Sequence, residues 1–270
     1  MTTTRYISQA DLAKLVADLL AAKTRVVGPA RSGDGRATDY RELGEPGELK
    51  LDGPLPRGSM RQFFLPPTEV LLRWKRKKDD VELEEVPTTF APTVIVGAVP
   101  CDAAAVDTVD KLMNWDYRDE LWFGRRDATT IVTVACPGRD ASCFCTAVGL
   151  APDATRGSDV LLVPADGGYV AEALTPKGEA LLTKNAARFG EPKGAEAAQQ
   201  YRQAAREKVG KNLQATPDNR MIVHQENARL ITGRYRSGSV HTSLAIKSRR
   251  AWPGAAATGT QPRRLRPRAR

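Results

Sequence analysis

Apolar positions along this chain follow two rhythms. Over residues 6–22, YISQADLAKLVADLLAA, the residues Leu12, Leu15, Val16, Leu19 and Leu20 share one helical face. Ser8 stands where an N-cap accepts a backbone N–H, so the stretch predicts an amphipathic helix. TRVVGPA then predicts a short strand ending at Gly28–Pro29. Residues 31–60 are polar and rich in glycine, the pattern of an irregular or weakly stranded loop. In FFLPPTEVLLRWKRKKDDVELEEV, Pro67-Thr68-Glu69 could open a short helix. Two extended segments follow, joined in a hairpin at Lys78-Asp79-Asp80. The charge run from Lys75 to Glu85 reads as a solvated hairpin face.

The second rhythm is a buried-strand pattern followed by a helix. In TVIVGAVPCDAAAVDTVDKLM, residues 93–99 are almost wholly apolar. Cys101 follows the strand, and Asp102 is placed to cap a helix over 103–113. An aromatic stretch, NWDYRDELWFGRR, leads to a second β-rich run, ATTIVTVACPG, with Cys136 again at the strand's carboxyl end. Trp115, Tyr117, Trp122 and Phe123 read as core aromatics rather than a partner surface. SDVLLVPADGGYVAEAL predicts two strands around Asp166-Gly167-Gly168. Two helices come next, TPKGEALLTKNAARFG, opened by Thr175-Pro176, and AEAAQQYRQAAREKV. Strands alternating with helices predict an α/β fold, a mixed sheet with flanking helices. The expected boundaries are an α/β domain over 1–213 and a tail over 214–270.

Charge sharpens that boundary. The chain of 270 residues carries a net +9. Residues 216–270 hold twelve Lys or Arg against Asp218 and Glu226, a net +10 that leaves the rest at −1. The body therefore presents no electrostatic footprint for nucleic acid. The tail ends RRAWPGAAATGTQPRRLRPRAR; it reads as a disordered basic tail, or as GC-rich DNA translated in the wrong frame. No apolar run is long enough to cross a bilayer, and the first residues do not read as a secretory signal. The expected compartment is the cytoplasm, where clustered thiols stay reduced and hold metal or do redox chemistry.

The four cysteines are Cys101, Cys136, Cys143 and Cys145, the last three inside TVACPGRDASCFCTAV. Two of them follow predicted buried strands. If those strands are neighbours, both thiols meet at the carboxyl edge of the sheet, where ligands of open α/β sheets bind. The loop after Cys136 can then return with Cys143 and Cys145. Four thiolates around one site suit an iron–sulfur cluster, 4Fe–4S in kind, or a structural zinc. Zinc sites usually use C-x2–4-C knuckles, which this chain lacks. Spacing alone leaves the cluster, zinc, a thiol pair and simple packing of small apolar thiols all open. No dinucleotide or P-loop glycine motif is present. His224 and His241 both lie in the tail, so no Ser/His/Asp grouping forms in the body. Asp102 and Asp107 read as helix-start residues rather than as acid–base catalysts.

Several segments taken together resemble a known family. FFLPPTEVLLRW, VIVGAVPCDAAAV, RRDATTIVTVACPGRDASCFCTAVG, GSDVLLVPADGGYVAEALTPKGEALL and AARFGEP resemble the beta subunit of cytoplasmic sulfhydrogenases and the corresponding iron–sulfur subunit of anaerobic sulfite reductase. The resemblance spans roughly residues 5–210, with the proline–cysteine–aspartate and CFC elements its most specific parts. It implies an iron–sulfur electron-transfer subunit that does no bond chemistry itself. The implied partners are a flavoprotein diaphorase-like subunit and a catalytic oxidoreductase subunit. It also implies that Cys101, Cys136, Cys143 and Cys145 are the family's N-terminal cysteines. Members of that family continue into C-x2-C-x2-C-x3-C-P runs, whereas residues 211–270 here contain no cysteine. The chain as written lacks the ligands for those ferredoxin-type clusters.

Overall fold

Three consecutive residues of one strand, Val94, Ile95 and Val96, are all buried, although alternate side chains point to opposite faces. Such a strand needs cover on both sides, and the architecture supplies it. The computed structural model describes residues 3–214 apart from positions 34, 36, 54, 79, 86–88 and 139–142. The basic tail, including His224 and His241, lies outside the described residues.

The elements run β1 (Thr4–Ser8), α1 (Gln9–Ala21), β2 (Arg25–Arg31), β3 (Thr38–Glu42), β4 (Leu72–Arg76), β5 (Val81–Glu85), β6 (Thr93–Ala98), α2 (Pro100–Leu112), α3 (Glu120–Ala128), β7 (Thr129–Val134), β8 (Val160–Ala165), β9 (Gly168–Ala173), α4 (Pro176–Lys184) and α5 (Ala195–Gln214). Seven strands form one sheet in the order β1-β9-β8-β7-β6-β2-β3. Strands β2, β6, β7 and β8 pair in parallel, and β3, β9 and β1 join antiparallel. The fold is thus α/β, a mixed sheet with flanking helices. On one face α1 and α4 cover Val26, Val94, Val96, Val132, Val160 and Leu162. On the other, α2 and α3 cover Val27, Ile95 and Ile131, while α5 covers Leu161 and Val163. Each fully buried Val, Leu or Ile contributes about 1.5–3 kcal/mol relative to exposure, so the central strands dominate the core.

Local signals hold in some places and give way in others. Ser8 caps α1, its hydroxyl accepting the Asp11 N–H at 3.0 Å. Tyr6, Ile7 and Ser8 themselves are not helical but belong to β1, paired with β9. Strand β2 runs through Gly28–Pro29 to Arg31. Its parallel pairing with β6 covers only Arg25–Val27, so the missing Pro29 N–H disturbs no ladder there. The glycine-rich stretch contains β3 and buries Tyr40 and Met60, with Phe64 buried just beyond it. Pro67-Thr68-Glu69 opens no helix; the Glu69 carboxylate instead pairs with Arg125. Strands β4 and β5 form the expected hairpin as a separate two-stranded sheet, with Trp74 opposite Leu83 and both exposed; Asp79 of its turn lies outside the described residues. Only the later part of the aromatic stretch folds as α3, capped by Asp119, whose carboxylate accepts the Trp122 N–H at 2.8 Å. The expected aromatic core holds for Trp122, 1% exposed, and fails for Trp115 and Tyr117, at 81% and 75%.

Asp102 differs most from expectation. Helix α2 starts earlier, with Val99 at the N-cap position and Pro100 in the first turn. The Asp102 carboxylate therefore has no cap to make. It accepts from the Ser59 hydroxyl at 2.5 Å and from the Met60 N–H at 2.8 Å. That pair of bonds ties the segment before β4 to the start of α2.

Candidate functional site at the carboxyl edge of the sheet

Strands β6 and β7 are neighbours and parallel, in register from Thr93 opposite Thr129 to Val96 opposite Val132. Their carboxyl ends therefore open on the same edge of the sheet. Cys101 is the second residue of α2, two positions after Val99 turns out of β6. Cys136 lies two residues beyond β7, its N–H donating to the Pro152 carbonyl at 2.8 Å. The returning loop carries Cys143 and then a short 3-10 turn, Cys145–Val148. Gly149 ends that turn with φ of 75°, a left-handed conformation that costs a residue bearing Cβ about 1–2 kcal/mol. The Leu150 N–H closes the turn on the Cys145 carbonyl at 2.9 Å.

The next stretch of loop is pressed against α2. Gly157 has φ of 78°, and a Cβ there would stand 2.1 Å from the Ala103 carbonyl oxygen. Only glycine allows that approach. Arg156, beside it, fastens the loop to α2. Its guanidinium donates to the Thr108 hydroxyl at 2.7 Å and the Ala104 carbonyl at 3.1 Å, and it pairs with Asp107 at 3.2 Å. Asp107, expected at a helix start, lies inside α2 and serves this ion pair. The far end of the loop is tied to α5: the Asp153 carboxylate accepts from Arg206 at 2.9 and 2.8 Å.

These ties enclose a cavity of about 410 Å³ lined by Cys101, Cys136, Cys143 and Cys145. All four cysteines of the chain thus face one space. Its remaining walls are mostly apolar, among them Ala104, Phe144, Val148, Leu150 and Val209. None of the thiols is joined in a disulfide. They share the cavity without forming a ready ligand shell: among the described residues, no three His, Cys, Asp or Glu side chains gather as they would on one ion.

The electrostatics of the cavity follow from its walls. Burial pushes the Cys101 thiol up to about 11, with smaller contributions in the same direction from Cys136, Asp102 and Cys145. The backbone N–H groups at the start of α2 pull the other way and are outweighed. Solvent reaches Cys101 through the cavity mouth, while protein surrounds it on its other sides. Cys145 is raised too, first by burial and then by Cys143. Cys101 and Cys145 therefore keep their protons at neutral pH.

Sequence reading placed the four cysteines but missed the walls. Arg156 and Val209 carry no motif, and their role follows only from the packing of the loop and α5. No protein-family model matches the chain, and no curated protein matches it. The functional reading rests on the cavity and on the cysteine-bearing segments themselves.

Proposed function

We propose that this chain is an iron–sulfur electron-transfer subunit, or the N-terminal part of one, in an anaerobic hydrogenase- or sulfite-reductase-like oxidoreductase complex. Cys101, Cys136, Cys143 and Cys145 hold the cluster. The observation that supports the reading is the single cavity onto which every cysteine of the chain opens. The donor set fits: four soft sulfurs, apolar walls, and no histidine among the lining residues. A cluster of this kind, when bound, supplies one-electron redox chemistry at a potential set by burial and hydrogen bonding to sulfur.

The chain's own residues prepare for that role in three ways. The elevated Cys101 and Cys145 thiols must release protons to ligate, so loading the site is coupled to proton release and favoured by rising pH. Phe144, Val148 and Leu150 give the cavity apolar walls beside the sulfurs. Cys101 and Cys136 are positioned by α2 and β7, which supply two of the four donors independently of the loop that carries Cys143 and Cys145. The protein catalyses no bond change and relays electrons between a flavoprotein diaphorase-like partner and a catalytic partner in a reducing cytoplasm.

Anaerobic purification tests this. A brown protein containing iron and acid-labile sulfide, with visible absorption lost in Cys143→Ala and Cys145→Ala, is the expected result. Stoichiometric zinc without visible absorption would establish the competing reading, a zinc-binding scaffold. A colourless, metal-free protein after anaerobic reconstitution with iron and sulfide would leave a cofactor-free docking body.

A further inference from the structure

A second concavity lies at the carboxyl end of β2, and none of the four cysteines lines it. It measures about 390 Å³ and brings together Arg31, Lys50, Asp52 and Tyr169 over an apolar floor that includes Leu12 and Leu49. Arg31, Lys50 and Asp52 also line an adjoining recess of about 260 Å³. The two concavities thus share one charged rim.

The polar groups of this rim are unusually unsatisfied. Among the described residues, neither Arg31 nor Lys50 forms an ion pair, and Asp52 forms none either. Among the described residues the Lys50 ammonium donates to the Gly47 carbonyl alone, at 2.9 Å. Tyr169 is 8% exposed, yet no described residue hydrogen-bonds its hydroxyl, which opens on the cleft. Burial and the nearby Asp52 charge both raise that phenol, so it remains a hydrogen-bond donor at neutral pH. The first residue of α1, Gln9, is also at the cleft, where the helix end adds partial positive charge.

Two cations facing one carboxylate favour an anion. The cleft is too large for a bare inorganic ion, and its apolar floor suits an organic body. Asp52, an acceptor only, and Tyr169 suit hydroxyl groups on that body. We propose that this cleft binds a phosphate monoester whose organic part carries hydroxyl groups, with the phosphate on Arg31 and Lys50 and the hydroxyls on Asp52 and Tyr169. The position agrees with the general rule that open α/β sheets bind ligands outside the carboxyl ends of their strands. The cleft's lining residues include none of the cysteines, although Lys50 also lines a small recess with Cys136.

Calorimetric titration of the full chain with adenosine monophosphate, ribose 5-phosphate and inorganic phosphate tests the assignment. Both organic phosphates are expected to bind with Kd below about 1 mM, and inorganic phosphate about tenfold or more weakly. A tighter adenosine monophosphate identifies a nucleotide as the source, and equal affinities identify a sugar phosphate. The R31A/K50A double variant should lose about tenfold or more for every ligand, because it removes the charge-assisted hydrogen bonds. D52N should weaken the organic ligands relative to inorganic phosphate, which loses no contact and gains from the removed negative charge. These side chains are solvent-accessible and outside the core, and an unchanged circular-dichroism melt verifies folding. Cys143→Ala should bind as the unsubstituted chain does, which separates this site from the cysteine cavity. No heat with any ligand at about 10 mM, or undiminished binding by R31A/K50A, overturns the proposal. Inorganic phosphate binding as tightly as the esters also overturns it.

Discussion

The two halves of the thiol cavity are built differently. Cys101 and Cys136 stand at the ends of regular elements, one in the first turn of α2 and the other just past β7. Their positions follow from a parallel ladder buried on both faces, with Trp122 and Phe64 packed behind it, ring centroids 5.6 Å apart. Cys143 and Cys145 ride on an irregular loop held by separate ties, among them the turn closed at Leu150, the Gly149 conformation, the Arg156 bonds to α2 and the Asp153 tie to α5. A framework that fixes two sulfurs while leaving two on a loop can be complete before any metal arrives and still close upon it. Local stability differs across a structure in this way, with binding loops drawn from its weaker end.

Perturbing the framework half should have the larger effect. Trp122→Ala empties a site 1% exposed and frees the Asp110 carboxylate, which now accepts the indole N–H at 2.7 Å. A loss of about 3–5 kcal/mol in urea denaturation is expected. A loss below about 1 kcal/mol would show that the strand-end half does not rest on this core. Next in size is the behaviour of Cys101. At pH 8 the thiol, held at about 11, is expected to react with iodoacetamide about a hundredfold more slowly than a peptide thiol. Peptide mapping of the metal-free chain by mass spectrometry measures the rate, which should climb steadily toward pH 11. The folded thiol keeps a proton that the unfolded chain releases, so stability is intact below the ordinary thiol pKa and falls as pH rises from there toward 11. Denaturation midpoints that rise over that range would contradict a desolvated Cys101.

On the loop side the expected effects are smaller and local. Asp153→Ala removes a carboxylate 2% exposed and should cost about 2 kcal/mol, less than a fully buried pair because Arg206 reaches solvent. Hydrogen exchange should quicken in residues 143–150 and α5 while β6 and β7 keep their protection. Equal quickening throughout would erase the distinction between the halves. Gly149→Ala is the mildest change. A Cβ there meets nothing within 4 Å, so only the left-handed backbone penalty of about 1 kcal/mol applies.

The same contrast governs what could be read from the sequence. The β6–α2–β7 unit was legible because continuous apolar runs, a helical stretch between them and strand-end cysteines agree with one another. The hairpin of β8 and β9 and the Thr175 cap of α4 were legible for the same reason. Strand β1 was not, because Tyr6 and Ile7 merge into the apolar face of α1 and only pairing with β9 separates them. Asp102 misled because an acid in a first helical turn looks like a cap, whereas its partners, Ser59 and Met60, are some forty positions earlier. At the site, adjacency of Cys101 and Cys136 followed from adjacency of their strands. The bond from Cys136 to Pro152, the approach of Gly157 to Ala103 and the Arg206–Asp153 pair are long-range ties without a local pattern. The rim of Arg31, Lys50 and Asp52 was invisible too, lying in and beside a glycine-rich stretch read as irregular.

Helix α5 has one more consequence. Val209 forms part of the cavity wall, and the helix ends at Gln214, about 8 Å further along its axis at the usual rise per residue. The polypeptide therefore leaves the sheet body beside its own sulfur chamber.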